Sequence, residues 1–129
     1  MKTTVSYLPM NIFTWLMVGH LVGDWMLQND WMARGKQRRL FTKEIMLHCF
    51  TYTVTLFIIF WLATRNNNSH PSYLTFFIAI FVSHWLIDAT NLAGRWVRWW
   101  RQSRLAFVRI MVDQTMHVLV LAVLLEWWM

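Results

Sequence analysis

Apolar residues run almost unbroken through four stretches, roughly 9–28, 44–63, 73–92 and 107–128, and most of the charged residues gather in the connections between them. Each stretch comes near the ~20 residues that carry a helix across a hydrocarbon core ~30 Å thick. The pattern predicts an all-α membrane protein, a bundle of four transmembrane helices forming one domain over residues 1–129. Spanning uses up most of the chain, so any chemistry must sit between the helices or at their ends.

The ionisable residues inside the stretches are ordered. His20 with Asp24, Glu44 with His48, His84 with Asp88, and Asp113 with His117 each stand four positions apart, one pair to a stretch. Five histidines and six acidic residues scattered over 129 positions would give fewer than one such pair by chance. On a helix, positions i and i+4 share a face, so each stretch presents an imidazole and a carboxylate in one direction. The first and third pairs are offset by 64 residues and the second and fourth by 69, which predicts two duplicated helical hairpins related by a pseudo-twofold along the membrane normal.

Basic residues set the expected orientation, because loops on the cytoplasmic side are enriched in lysine and arginine. The first connection carries Arg34, Lys36, Arg38, Arg39 and Lys43, and the third carries Arg95, Arg98, Arg101, Arg104 and Arg109. Both are expected in the cytoplasm. Residues 65–72, with Asn66, Asn67, Asn68 and Pro71, read as a short external turn, which leaves both termini outside. No small-residue cleavage site follows the first apolar run, so no signal peptide is read. In this topology all eight paired groups reach one depth near the cytoplasmic face, the imidazoles one helical turn, about 6 Å, deeper than the carboxylates.

An ionisable group in hydrocarbon costs on the order of 2.5–3.5 kcal/mol, so partners must offset it. Local histidine–carboxylate bonds that only hold the helices together would contribute about 0.6–2 kcal/mol. A divalent metal ion does more with the same residues, since neutral imidazole and carboxylate suit zinc, iron or manganese. The expected ligands are His20, Asp24, His48, His84, Asp88, Asp113 and His117, serving one ion or two, with Asp24, Asp88 and Asp113 as candidates for a catalytic base. Glu44 is the eighth candidate ligand, set behind the other seven because a glutamate at a helix start also favours the helix dipole. Cys49 points about 100° away from His48 and reads as a packing residue, while His70 beside Pro71 reads as solvated. Gln28 and Gln114 flank the site and are able to bond a substrate or a carboxylate, but helix-end glutamines are often only solvated, and neither is counted in it.

Composition agrees, with 57% hydrophobic residues, 14% charged and ten tryptophans. The net charge of +6 would otherwise suggest nucleic acid, but in a membrane chain orientation explains it, and no nucleic-acid partner is expected. Residues 94–104 interleave arginines with Trp96, Trp99 and Trp100, which suits the headgroup region, and Arg95, Arg98 and Arg101 are candidates to hold an anionic lipid or substrate.

Four segments also carry a resemblance: His20-Leu21-Val22-Gly23-Asp24-Trp25-Met26-Leu27-Gln28, then His48, then His84-Trp85-Leu86-Ile87-Asp88, then Asp113-Gln114-Thr115-Met116-His117. Over nearly the whole chain the sequence resembles the small bacterial inner-membrane family catalogued as domain of unknown function 3307. The resemblance implies a place in the bacterial inner membrane and importance for His20, Asp24, Gln28, His48, His84, Asp88, Asp113, Gln114 and His117. That family more distantly resembles membrane proteins proposed to be metal-dependent hydrolases, an analogy at the level of the fold. Members commonly carry a lysine after the third motif, where this chain has Asn91-Leu92-Ala93-Gly94-Arg95.

The expected function is a metal-dependent hydrolase at the cytoplasmic face, acting on a phosphoester of a lipid. The alternative is a non-catalytic subunit that binds a structural metal, haem or a chlorophyll-type pigment within a larger membrane complex or a homo-oligomer. A transporter is disfavoured, because the outer halves of the helices offer only threonines and Glu126 where an ion path needs polar groups throughout.

Overall fold

The computed structural model describes residues 11–36, 39–65, 72–102 and 105–128, so His70 and the expected external turn around Asn66–Asn68 and Pro71 lie outside the described residues, as do Arg38 and Arg104. All regular structure among them is helical: α1 Ile12–Leu21, running on into a π-helical turn Val22–Met26, α2 Asp30–Gly35, α3 Lys43–Thr64, α4 Tyr73–Ala89, α5 Leu92–Trp99 and α6 Ala106–Trp128. Short polar side chains start three of them. Asn11 accepts from Thr14 N at 2.8 Å, Asn29 from Met32 N at 2.9 Å and Thr42 from Ile45 N at 3.3 Å. Each such cap satisfies an otherwise orphaned donor and contributes about 1 kcal/mol.

Of the four expected spans, α3 and α6 are long and apolar enough to cross a membrane, and α4 with α5 makes a third if that pair, bent by 50°, is one span. The first stretch departs from the expectation because its α-helix lasts only ten residues before the backbone widens, Leu27 N bonding Val22 O at 3.0 Å in the five-residue spacing of a π-turn. The third stretch breaks after Ala89, where Asn91 adopts φ 49° and turns the chain into α5. Asparagine tolerates this left-handed conformation better than most residues. A side chain at Gly94 would collide with the Asn91 amide, its Cβ lying 2.6 Å from Oδ1.

Helix α3 packs between α1 and α4, and α6 closes the ring by touching both α4 and α1. The approach of α1 to α3 depends on two glycines one turn apart. A Cβ at Gly19 would meet Leu56 and Ile59 within 3 Å, and one at Gly23 would come within 3.3 Å of the Tyr52 backbone. Small residues spaced this way let membrane helices make close van der Waals contact.

The interior divides by polarity along the helix axes. One end is an apolar cluster of Leu16, Leu56, Phe60, Phe76, Ile80, Leu121 and Leu125, with Phe60 and Phe76 stacked at 3.9 Å. The other end buries His20, Asp24, His48, His84, Asp88 and His117, none more than 5% exposed. Tyr52 sits at the junction. Trp15, Leu21, Trp25, Phe50, Ile58, Leu74, Ile78 and Val123 meanwhile lie exposed on the outside. An apolar exterior around a polar interior inverts the usual arrangement in water and suits a lipid surrounding. Within the apolar end, Thr53 and Thr64 satisfy their hydroxyls on the carbonyls of Cys49 and Phe60, both at 2.7 Å.

Gly23→Val is expected to lower stability by about 1–3 kcal/mol through overpacking against Tyr52. Thermal unfolding in detergent checks this against Leu21→Ala on the exposed face, which should unfold as wild type does.

Candidate metal centre

Four elements bring the polar groups together. Asp24 comes from the π-turn after α1, His48 and Tyr52 from α3, His84 and Asp88 from α4, and Asp113, Gln114 and His117 from α6. A π-turn shifts the register of the side chains that follow it, and such turns recur at functional sites. Here it carries a fully buried carboxylate.

The imidazoles of His48 and His84 meet Nε2 to Nε2 at 2.9 Å. His48 Nε2 lies 3.2 Å from Asp24 Oδ1 and 3.2 Å from Asp88 Oδ2. His84 Nε2 lies 3.4 Å from Asp88 Oδ2 and 3.9 Å from Asp24 Oδ1. Two nitrogens and two oxygens thus mark the corners of one tetrahedron, with five edges between 2.9 and 3.9 Å. A tetrahedral ion bound at about 2.0–2.1 Å holds its ligands about 3.3–3.4 Å apart. The residues fit a metal ion. Nδ1 of His48 and of His84 has no hydrogen-bond partner among the described residues, and Tyr52 stacks on His84 at 3.7 Å.

A second set adjoins the first. Ligand atoms of Asp24, Asp113 and His117 lie within 4.8 Å of one another, so Asp24 belongs to both sets. His117 Nδ1 donates to the Asp113 carbonyl at 2.8 Å, so in the neutral ring, the form that ligates a metal, Nε2 offers a lone pair. That buried Nε2 has no hydrogen-bond partner among the described residues and faces Asp88 Oδ1 at 3.5 Å. Two acceptors facing each other away from water need a cation or a proton between them.

His20 lies in the same layer, stacked on His117 at 5.6 Å, but spends both nitrogens elsewhere. Its Nε2 bonds Gln114 Oε1 at 2.8 Å and its Nδ1 bonds the Tyr52 hydroxyl at 3.0 Å. Gln114 Nε2 in turn donates to Asp24 Oδ2 at 2.7 Å. The polarity of this chain is determined by its ends: Gln114 presents its amine to the carboxylate, so its oxygen accepts from His20 and Tyr52 donates to the remaining nitrogen. His20 therefore orients Asp24 from a distance, the part an outer-shell group plays around a metal.

Only two of the four expected i,i+4 pairs touch, His84 with Asp88 and His117 with Asp113, and the shortest contacts run between helices. Glu44 is the clear departure from the expected set. It stands in the first turn of α3, only partly buried, and packs directly against Gly35 of α2, away from the ligand groups. Cys49 is buried as a packing residue outside both sets. Arg95, Arg98 and Arg101 are exposed on or just after α5 and line no wall of the site.

Two participants, Tyr52 and Lys36, are absent from the expected site, and a third, Gln114, is only a flanking residue there. Tyr52 is one turn beyond His48 on the same helix face, a spacing that could have flagged it. Gln114 flanks the expected site and the family resemblance marks it as important, and in the structure it links His20 to Asp24. Lys36 gave no periodic signal, because it reaches the site only through the fold of the connection after α2. Its Nζ forms ion pairs with Asp88 Oδ2 at 2.8 Å and Asp24 Oδ1 at 3.4 Å. Burial alone would lower the pKa of this ammonium, but the Asp88 and Asp24 carboxylates outweigh burial and hold it above the usual lysine value. With neutral histidines, one ammonium faces three carboxylates, and a divalent cation would cancel the remaining negative charge.

His48→Ala is expected to abolish binding of a divalent ion, whereas His20→Ala, which only loosens Asp24, should weaken it about 10–100-fold. Metal titration of the two detergent-purified variants separates the roles. Equal loss in both would make His20 a direct ligand.

Residues 12–129, all but the first eleven positions, match the family model described as Protein of unknown function (DUF3307). No curated protein and no solved structure gives a significant match. The matched segment contains every residue of both ligand sets, and the chain belongs to the DUF3307 family.

Proposed function

We propose that this protein is a metal-dependent hydrolase of the bacterial inner membrane, acting at the cytoplasmic interface on a phosphoester carried by a lipid. The observation that carries the reading is the tetrahedral meeting of His48, His84, Asp24 and Asp88 inside an apolar exterior. Two nitrogens and two oxygens suit zinc, iron or manganese. An ion bound there would supply Lewis acidity and, with its shell opened to a fifth position beside the four protein donors, a water acidic enough to attack at neutral pH.

The chain's own groups divide the remaining work. Asp113, with its side chain 27% exposed, is the carboxylate least committed to the ligand set, which makes it the candidate base among the three aspartates. Lys36 holds positive charge against the two buried carboxylates on the side where a substrate would enter. The network from Tyr52 through His20 and Gln114 keeps Asp24 in place.

The membrane arrangement is part of the proposal. With both basic connections in the cytoplasm and both termini outside, the site lies near the inner face. The first span would combine α1 with the π-turn. Each half of the chain runs helix, short helix, long helix, an order that suits duplicated hairpins and four crossings. Helix α5 buries Ala93, Gly94 and Val97 and exposes a cluster of Trp96, Trp99 and Trp100 beside Arg95, Arg98 and Arg101, which suits contact with anionic headgroups.

The rival reading keeps the same residues in a non-catalytic subunit. The 2.9 Å separation of His48 and His84 argues against haem or a pigment between them, since a macrocycle needs far more room, and leaves a structural metal as its surviving form. The apolar cluster that closes the opposite end argues against an ion path.

Elemental analysis by plasma mass spectrometry should find at least one equivalent of metal in wild type and none in the double variant His84→Ala with Asp88→Ala. Asp113→Asn should keep its metal and hydrolyse phospholipid substrates about 10²–10⁴-fold more slowly. Metal without turnover on any phosphoester would favour the structural-metal subunit.

A further inference from the structure

Beside the ligand sets lies a cavity of about 180 Å³, with Gln28, Lys36, Asn91 and Arg109 on its walls and Asp88 and Asp113 where it meets the metal centre. We propose that this cavity is the seat of a tetrahedral phosphate-type oxyanion, held by Arg109, Lys36 and Gln28. The proposal rests on the hydrolase reading for its chemistry and adds to it the group that is bound and the residues that bind it.

The four wall residues converge from separate parts of the chain. Gln28 follows the π-turn, Lys36 follows α2, Asn91 forms the left-handed bend between α4 and α5, and Arg109 lies in the first turns of α6, one turn before Asp113. Two of them are cations. Lys36 is already engaged with Asp88 and Asp24, yet its ammonium has three donors and those contacts use two directions. Arg109 makes no ion pair among the described residues, so its planar fork is uncommitted, and guanidinium geometry matches two phosphate oxygens at once. The side-chain oxygen of Gln28 is buried with no hydrogen-bond partner among the described residues, and a terminal amide can equally turn its NH₂ toward an anion. Buried polar groups of this kind usually have partners.

Asp88 and Asp113 would repel an anion on their own. A divalent cation that shares their charge would reduce that repulsion, so a bound metal strengthens anion binding. Size narrows the ligand further. Pockets that enclose a drug-sized molecule measure about 300–1,000 Å³, so this one admits a phosphate-sized head and leaves the rest of a larger molecule outside. Either a lipid headgroup or a soluble phosphoester supplies that chemistry.

The test is calorimetric titration of inorganic phosphate into manganese-supplied protein in phosphatidylcholine nanodiscs, with metal content read in parallel. Wild type should bind phosphate. Arg109→Gln should weaken binding at least about tenfold with metal content unchanged, Arg109→Lys should lose part of it, and Arg65→Gln at the far end should match wild type. Nanodiscs containing phosphatidic acid identify the source: competition with phosphate upholds the seat as a headgroup site, and undiminished binding upholds it as a site for a soluble phosphoester. Phosphate binding that is absent from metal-loaded wild type, or unchanged in Arg109→Gln, overturns the proposal. Binding that Arg109→Gln weakens in protein that loads no metal upholds the seat and overturns the hydrolase reading.

Discussion

Two carboxylates and two imidazoles turned toward one point, in a molecule whose outside is apolar, set the terms for everything else in this structure. Asp24, Asp88, His48 and His84 are almost wholly withdrawn from solvent. Charge in that position is costly unless it is compensated, and the compensation has to come from the protein or from an ion it holds. The features that look peripheral are consequences of this. The two glycines bring α1 close enough for Asp24 to reach α3, the π-turn rotates Asp24 inward, and Lys36 folds back from its connection to meet two carboxylates.

The positions and the intervals of the histidines and acids were legible in the chain, and so was their gathering toward one end of the helices. Helix periodicity alone predicts which residues share a face, and it identified seven of the residues that the structure assembles at the polar end. Periodicity does not describe contacts between helices. The expected local pairs therefore yield to cross-helix ones: His48 meets Asp24 and Asp88 instead of Glu44, and His20 reaches Gln114 and Tyr52 instead of Asp24. Lys36 was invisible for the same reason. Its place depends on how a short connection folds, and its charge was fully explained by orientation.

The shape of the first and third stretches was also beyond a hydropathy pattern. An apolar run does not reveal a π-turn, and the 50° bend after Ala89 depends on one residue, Asn91, in a left-handed conformation beside a glycine. Both departures occur at the polar end. They cost backbone regularity where the site needs side chains aimed inward, which is where strain and irregular helix geometry concentrate in proteins that do chemistry.

The central claim is that two histidines and two aspartates hold one ion. X-ray absorption at the metal edge of wild-type protein tests it most directly. The account predicts a shell of four protein nitrogens and oxygens, with room for one water, near 2.0–2.2 Å and the outer scattering of two imidazoles. A shell of oxygens alone, or the signature of three or four imidazoles, would contradict it.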